Sequence, residues 1–531
     1  MRRATAIPVV LAAVLLAALG RGSAGQDSVR IRSGLVKGAR DGDLAVYKGI
    51  PYAAPPIGDL RWKPPQAALP WDGIREATSF SLPCAQSPFP PGARAGDWSE
   101  DCLTLNVWAP TAKPDRPRPV LVVIPGGGFF AGGSGELAND GRNLANHGII
   151  VISFNYRLGV FGFFAHPLLS RESATHVSGA YGLMDQIAAL QWVHDNVEVF
   201  GGDPRNVTIT GTSAGGSSVL YLMVAPAAKG LFARAIAESA ALVYGPLGHR
   251  TETRYGREPR EAQGLRLGAD IAQLRALTAH ELFERAALET NFMFVDGPHY
   301  WPMVDGAVLP DEPSVLFDAG QFARVPLLIG TAADEGSLFA LANPMKTSEA
   351  WANHLARRHP GAEAAVQAAY QVPADSDVYL AARRWVNDWY FHGTARAVAR
   401  AVAARNVPVF MFNFSRVPPY QPIRGRNTGA FHSVETNYIF GNFSSAAAAL
   451  MTEADRALSR TMTNAWLQFI RTGDPNVAGL PPWPRYTKSG DRHMDFGAEI
   501  SVGSGLHSAS LDAVDNAFAM MRVRQRDGRR R

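Results

Sequence analysis

The stretch that most restricts what this chain can fold into is Gly211-Thr212-Ser213-Ala214-Gly215-Gly216. Before it, Val207-Thr208-Ile209-Thr210 is β-branched and alternating, which predicts a strand. After it, residues 217–223 read as a helix. A G-x-S-x-G sequence between a strand and a helix is a sharp turn that lifts a serine hydroxyl clear of the backbone. Such a turn holds Ser213 in a sparsely populated conformation. It needs glycines where strand and helix nearly touch. It also aims the Ala214 N–H, at a helix N-terminus, toward any negative charge that forms there. Taken alone, the motif is compatible with a plain glycine-rich loop, so its weight depends on what surrounds it.

The surroundings read as repeating α/β structure. Residues 120–124 (Val-Leu-Val-Val-Ile) and 148–154 are continuous apolar runs, as expected of strands buried on both faces. Residues 325–330 and 407–412 predict two more. Residues 185–199 carry Ile187, Leu190, Val193 and Val197 at helical spacing, and 250–289 and 348–402 are helical in period. An edge hairpin is expected over residues 29–38. Strands alternating with helices predict one large domain with a mostly parallel sheet covered on both faces.

Three strand-end loops supply the rest of a serine-centred site. Pro125-Gly126-Gly127-Gly128-Phe129 follows the 120–124 strand directly. A phosphate cradle would require a following Gly-Lys-Ser/Thr, which is absent. An oxyanion hole requires this loop together with the N–H after the nucleophile, and Gly127, Gly128 and Ala214 provide that set. Glu335 lies just beyond the 325–330 strand, and His432 in a loop after the 407–414 strand. Serine, acid and histidine therefore occur in the order this kind of turn demands.

These segments resemble the type-B carboxylesterases, the family of para-nitrobenzyl esterases and cholinesterases. The likeness runs from about residue 29 to residue 496. Ser99-Glu100-Asp101-Cys102-Leu103-Thr104-Leu105-Asn106-Val107, Asn155-Tyr156-Arg157-Leu158-Gly159, Gly182-Leu183-Met184-Asp185-Gln186 and Phe200-Gly201-Gly202-Asp203-Pro204 match its blocks. The resemblance implies an α/β-hydrolase fold, with a large central, mostly parallel sheet flanked by helices. It implies Ser213, Glu335 and His432 as the catalytic residues, and Gly127, Gly128 and Ala214 as the oxyanion hole. Ser239 and Glu435 would help to hold the histidine. The implied activity is hydrolysis of a small-molecule carboxylic ester through an acyl-enzyme. Alternatives are an esterase specialised for a bulky or polycarboxylate ester of a natural product or toxin, and a non-catalytic binding relative.

Two positions depart from the family pattern. Pro125 stands where His or Tyr is usual, which removes a backbone donor. Thr212 stands where Glu is frequent, so a negative charge beside the nucleophile is expected to be missing. Phe129, Phe130, Phe161, Phe163, Phe164 and Tyr221 are candidates to line an apolar gorge, with Trp301 and residues 385–391 shaping pockets. Arg157 and Arg384 are the candidates to receive an anionic ester, an ion pair being the plainer expectation for Arg157.

Residues 1–24 have the layout of a secretory signal. Arg2 and Arg3 precede an apolar run over residues 7–19, and Gly22-Ser23-Ala24 offers small residues for cleavage. Residues 25–531 would then be the mature, secreted or periplasmic domain, with no stable membrane insertion. In that compartment the only two cysteines, Cys84 and Cys102, are expected to form one disulfide, as the resemblance also implies. The net charge of +5 is concentrated at the two ends. The arginines of residues 522–531 read as a solvated basic tail rather than a nucleic-acid site. No metal-ligating pattern appears, so neither metal nor cofactor is expected.

Overall fold

The computed structural model describes residues 28–86, 96–241, 243–286, 293–294 and 300–530. Within these, eleven strands form one sheet. Its middle seven strands are parallel. In spatial order they are Arg492–Phe496, Val409–Phe414, Leu327–Ala332, Arg234–Glu238, Gly202–Thr212, Arg118–Ile124 and Ile150–Phe154. Antiparallel strands finish both edges: Ile500–Ser504 on one side, and Thr104–Pro110, Leu44–Pro51 and Ala39–Asp41 on the other. The expected hairpin, Ser28–Ile31 with Gly34–Lys37, lies outside this sheet and is joined by Ile74–Glu76.

The sheet is buried on both sides because its residues alternate between two cores. Val120, Val122, Ile124 and Ile209 face one core, shared with the helices Tyr181–Asn196 and Ala214–Val224. Leu121, Val123, Ile236, Leu328 and Phe410 face the other, with Trp466 and Phe469 of the helix Glu453–Thr472. Each such side chain contributes about 1.5–3 kcal/mol by leaving water. This two-sided burial is why the strands read as unbroken apolar runs rather than as alternating ones.

A third core lies away from the sheet, where Trp351 and Trp385 of the covering helices meet Phe518. Phe518 belongs to the helix Ser508–Arg530. Leu511, Val514, Phe518 and Met521 recur at helical spacing and are buried. Asp512 and Asp515 take hydrogen bonds of 2.9 and 2.8 Å from Arg396. The basic end is thus the continuation of an amphipathic helix.

Cys84 and Cys102 are disulfide-bonded, closing a loop of 18 residues. The prolines of that loop and the signal-like segment lie outside the described residues. Replacing both cysteines with serine is expected to lower the unfolding free energy by about 3 kcal/mol, from the loop entropy returned to the unfolded chain. A denaturant titration of the double variant checks this, and an unshifted midpoint contradicts it. Among the described residues no helix is long and apolar enough to cross a membrane.

Candidate active site

Ser213 sits at the end of the strand Gly202–Thr212 with φ +61° and ψ −124°, and the helix Ala214–Val224 begins at the next residue. This conformation costs about 1–3 kcal/mol. It is held by two backbone hydrogen bonds of 2.9 Å, from Ser213 N–H to the Glu238 carbonyl and from Ser217 N–H to the Ser213 carbonyl. The glycines are required by space. A Cβ on Gly215 would stand 2.1 Å from the Ile124 oxygen, and one on Gly211 would stand 2.5 Å from the Gly215 carbonyl carbon.

The glycine-rich loop turns back beside this serine. Gly127 and Gly128 take φ +107° and +64°, and the N–H groups of Phe130 and Ala131 close onto the Gly127 carbonyl at 3.2 and 2.9 Å. At Pro125 the fastening comes through the carbonyl, which accepts the Tyr156 hydroxyl at 3.0 Å. Proline's missing donor is therefore matched by a bond at its acceptor. Gly127, Gly128, Ser213, Ala214 and His432 all line one cavity of about 760 Å³.

Glu335 follows the strand Leu327–Ala332 and is fully buried. One carboxylate oxygen accepts the Ala332 N–H at 2.8 Å, and the other bonds to His432 Nδ1. His432 precedes the helix Val434–Phe440, across a left-handed Ser433 at φ +67°. Phe339 and Phe391 pack on its ring at 5.1 and 4.8 Å. Asp334 stitches the acid loop to the histidine loop. Its N–H donates to the Ala430 carbonyl, and its carboxylate accepts the Ala430 N–H, both at 2.9 Å. Nothing in the one-dimensional pattern marked Asp334 or Phe391 for these roles.

Ser239 and Glu435 pair with each other, the serine hydroxyl donating to the carboxyl group. Burial and the neighbouring charge of Glu335 push the Glu435 carboxyl well above its ordinary range. Among the described residues neither side chain makes a hydrogen bond to the imidazole of His432.

The remaining expectations divide. Phe129, Phe130, Trp301 and Phe391 line the cavity. Phe163 and Tyr221 pack against Phe129, at 5.5 and 6.2 Å. Phe161 packs against Phe283 at 5.4 Å, and Phe164 against Trp62 at 4.8 Å. Trp385 is core, crossed with Trp351 at 5.8 Å. Arg157 is the buried ion-pair partner of Asp185, with contacts of 2.8 and 2.7 Å. Arg384 donates to the Ala369 carbonyl at 3.0 Å. Neither arginine reaches the cavity lining. Thr212 donates to the Glu238 carboxylate at 2.8 Å, and Glu238 itself lines the cavity. A carboxyl group from the adjacent strand therefore stands beside the residue that precedes Ser213.

Serine turn, acid loop and histidine loop all emerge at the carboxyl ends of parallel strands, where ligands meet open α/β sheets. With that strained serine turn and the Glu335–His432 bond, the arrangement is that of an α/β-hydrolase. The carboxylesterase family model matches residues 25–514, and the chain belongs to that family. It is a carboxylic ester hydrolase. It is similar to a fumonisin B1 esterase from Sphingopyxis macrogoltabida, 36% identical over 90% of this chain and 87% of that one. The para-nitrobenzyl esterase of Bacillus subtilis (strain 168) is 35% identical, over 89% and 95%. A solved thermophilic PNB esterase superposes with a TM-score of 0.79 at 31% identity, covering 92% of this chain and all of that one.

Proposed function

We propose that the chain cleaves carboxylic esters by a two-step route through an acyl-enzyme on Ser213. The observation that carries this reading is the bond from buried Glu335 to His432 Nδ1, on a cavity shared with Ser213 and the glycine loop. His432 Nε2 takes the proton as Ser213 Oγ attacks the ester carbonyl. The N–H groups of Gly127, Gly128 and Ala214 receive the oxyanion, each worth about 2.7–4 kcal/mol of transition-state stabilisation. The imidazolium then protonates the departing alcohol. Water enters, gives a proton to His432 and attacks the acyl carbonyl. The carboxylic acid leaves as Ser213 regains its hydrogen. Glu335 keeps Nδ1 protonated, so that Nε2 is free to accept.

The lining is largely apolar. Its ionisable side chains among the described residues are Glu136, Glu238 and His432. This composition supports an uncharged ester, with no free carboxylate beside the scissile bond. The second reading, a specialised bulky ester, draws on the likeness to a fumonisin B1 esterase and on the size of the cavity. Export is supported by the signal-like first 24 residues and by the disulfide.

A series of p-nitrophenyl esters, from acetate to long acyl chains and including one polycarboxylate ester, tests both. Neutral short-to-medium esters are expected to give the highest kcat/KM. A polycarboxylate ester outrunning every neutral one establishes the specialised reading instead. A folded protein inert toward all of them contradicts the first.

A further inference from the structure

Glu238 is the last residue of the strand Arg234–Glu238. Parallel pairing sets it level with Thr212, the residue before the nucleophile. Its carboxylate is completely buried. One oxygen accepts the Thr212 hydroxyl at 2.8 Å, and the other accepts the Trp466 indole N–H at 2.9 Å. Thr212 Oγ1 also lies 2.7 Å from Thr436 Oγ1. With the Thr212 hydrogen committed to the carboxylate, Thr436 is the donor in that contact. Thr436 belongs to the helix Val434–Phe440, which starts two residues after His432. A single chain of hydrogen bonds therefore runs from the helix behind His432, through the nucleophile turn, to Glu238. The Glu238 carbonyl meanwhile holds the Ser213 N–H.

A purely structural plug would not need a carboxylate here. Among the described residues no cation pairs with Glu238. Burial raises its pKa to about 7 against the lowering effect of its two hydrogen bonds, so the ionised form is costly in this place. The Glu238 charge in turn helps to raise the Glu435 carboxyl on the His432 helix. An arrangement that works against stability beside a reacting centre is the kind kept for function.

We propose that Glu238 is a positioning residue for the hydrolysis: through Thr212 and Thr436 it sets the spacing between the Ser213 turn and the helix that carries His432. This rests on the reading of Ser213 as nucleophile and His432 as base. Misplacing either by a fraction of an ångström reaches kcat before it reaches KM, because the tie acts first on the geometry of proton transfer.

Steady-state kinetics on p-nitrophenyl acetate tests the tie. Thr212→Val keeps the shape and removes both hydroxyl contacts. It is expected to lower kcat about 10-fold or more with KM within about 3-fold. Thr212→Ser restores the hydroxyl and is expected to recover kcat to within about 3-fold of wild type. Glu238→Gln offers one acceptor where two donors arrive and should lose kcat as well. The Thr212→Val, Glu238→Gln double variant should fall no further than the worse single one, because both cut the same chain. Should Thr212→Val fail to fold, Thr436→Val cuts the chain from the other side. Undiminished kcat in a folded Thr212→Val or Thr436→Val protein, a loss confined to KM, or no rescue by serine overturns the proposal. Ser213→Ala run in parallel separates the two failures. If it retains turnover, the assignment of the nucleophile is wrong. If it is inactive while Thr212→Val is normal, the tie alone is wrong.

Discussion

Ser213→Ala is expected to lower kcat by about 10⁴–10⁶-fold while leaving the fold and its melting temperature in place. The substitution deletes one oxygen. Both bonds that hold the turn, Ser213 N–H to Glu238 O and Ser217 N–H to Ser213 O, belong to the backbone and survive it. Alanine meets the same φ of +61° that serine tolerates, so no new strain enters. Lost with the oxygen is the proposed site of acylation, and the stopped-flow burst of p-nitrophenol should vanish with it. A folded variant that turns over esters at the wild-type rate would show that another group performs the attack.

The second large effect is expected at Glu335→Gln, with kcat lower by about 10⁴-fold and little change in shape. Glu335 has two oxygens in use, one toward the Ala332 N–H at 2.8 Å and one toward His432 Nδ1. A glutamine has one oxygen for these two donors. If that oxygen keeps Ala332, the amide NH₂ faces Nδ1 and turns the imidazole into the tautomer whose Nε2 already carries hydrogen. Such a ring cannot accept the serine proton. If the oxygen keeps His432 instead, a buried backbone N–H is orphaned, at a cost of about 1–3 kcal/mol of stability. Steady-state kinetics together with a melting curve reads both branches. A Glu335→Gln enzyme that stays both as fast and as stable as the wild type would point away from Glu335 as the orienting acid.

Much of this site was legible in the linear sequence. The serine turn is a local object: strand, glycines, serine and helix are contiguous, and sterics alone dictate where glycine must stand. The loop at Gly127 and Gly128 and the candidate acid Glu335 follow directly on the apolar runs that carry them, while His432 was singled out by its place in the order of serine, acid and histidine. Strands without such a run were missed. Arg234–Glu238 consists of alanines and a single isoleucine between charged ends, yet it lies between two parallel neighbours at the centre of the sheet, where small residues let covering helices approach. The final helix was not legible for a related reason. Its arginines dominate the composition, while the stripe of Leu511, Val514, Phe518 and Met521 acquires meaning only with Trp351 and Trp385 beside it.

The sequence by itself determined the family, the order of the candidate site residues and the turn that exposes Ser213. The turn follows from backbone sterics and the strands from the period of apolar residues, both properties of neighbouring positions, while the family follows from its motif blocks. Only the tertiary structure decided which charges meet the site. Arg157 is turned away into a pair with Asp185. Glu238, 26 residues beyond Thr212, is brought level with it by strand register. Parallel pairing depends on how whole strands stack between helices, so no local pattern announces which carboxylate will stand beside the serine.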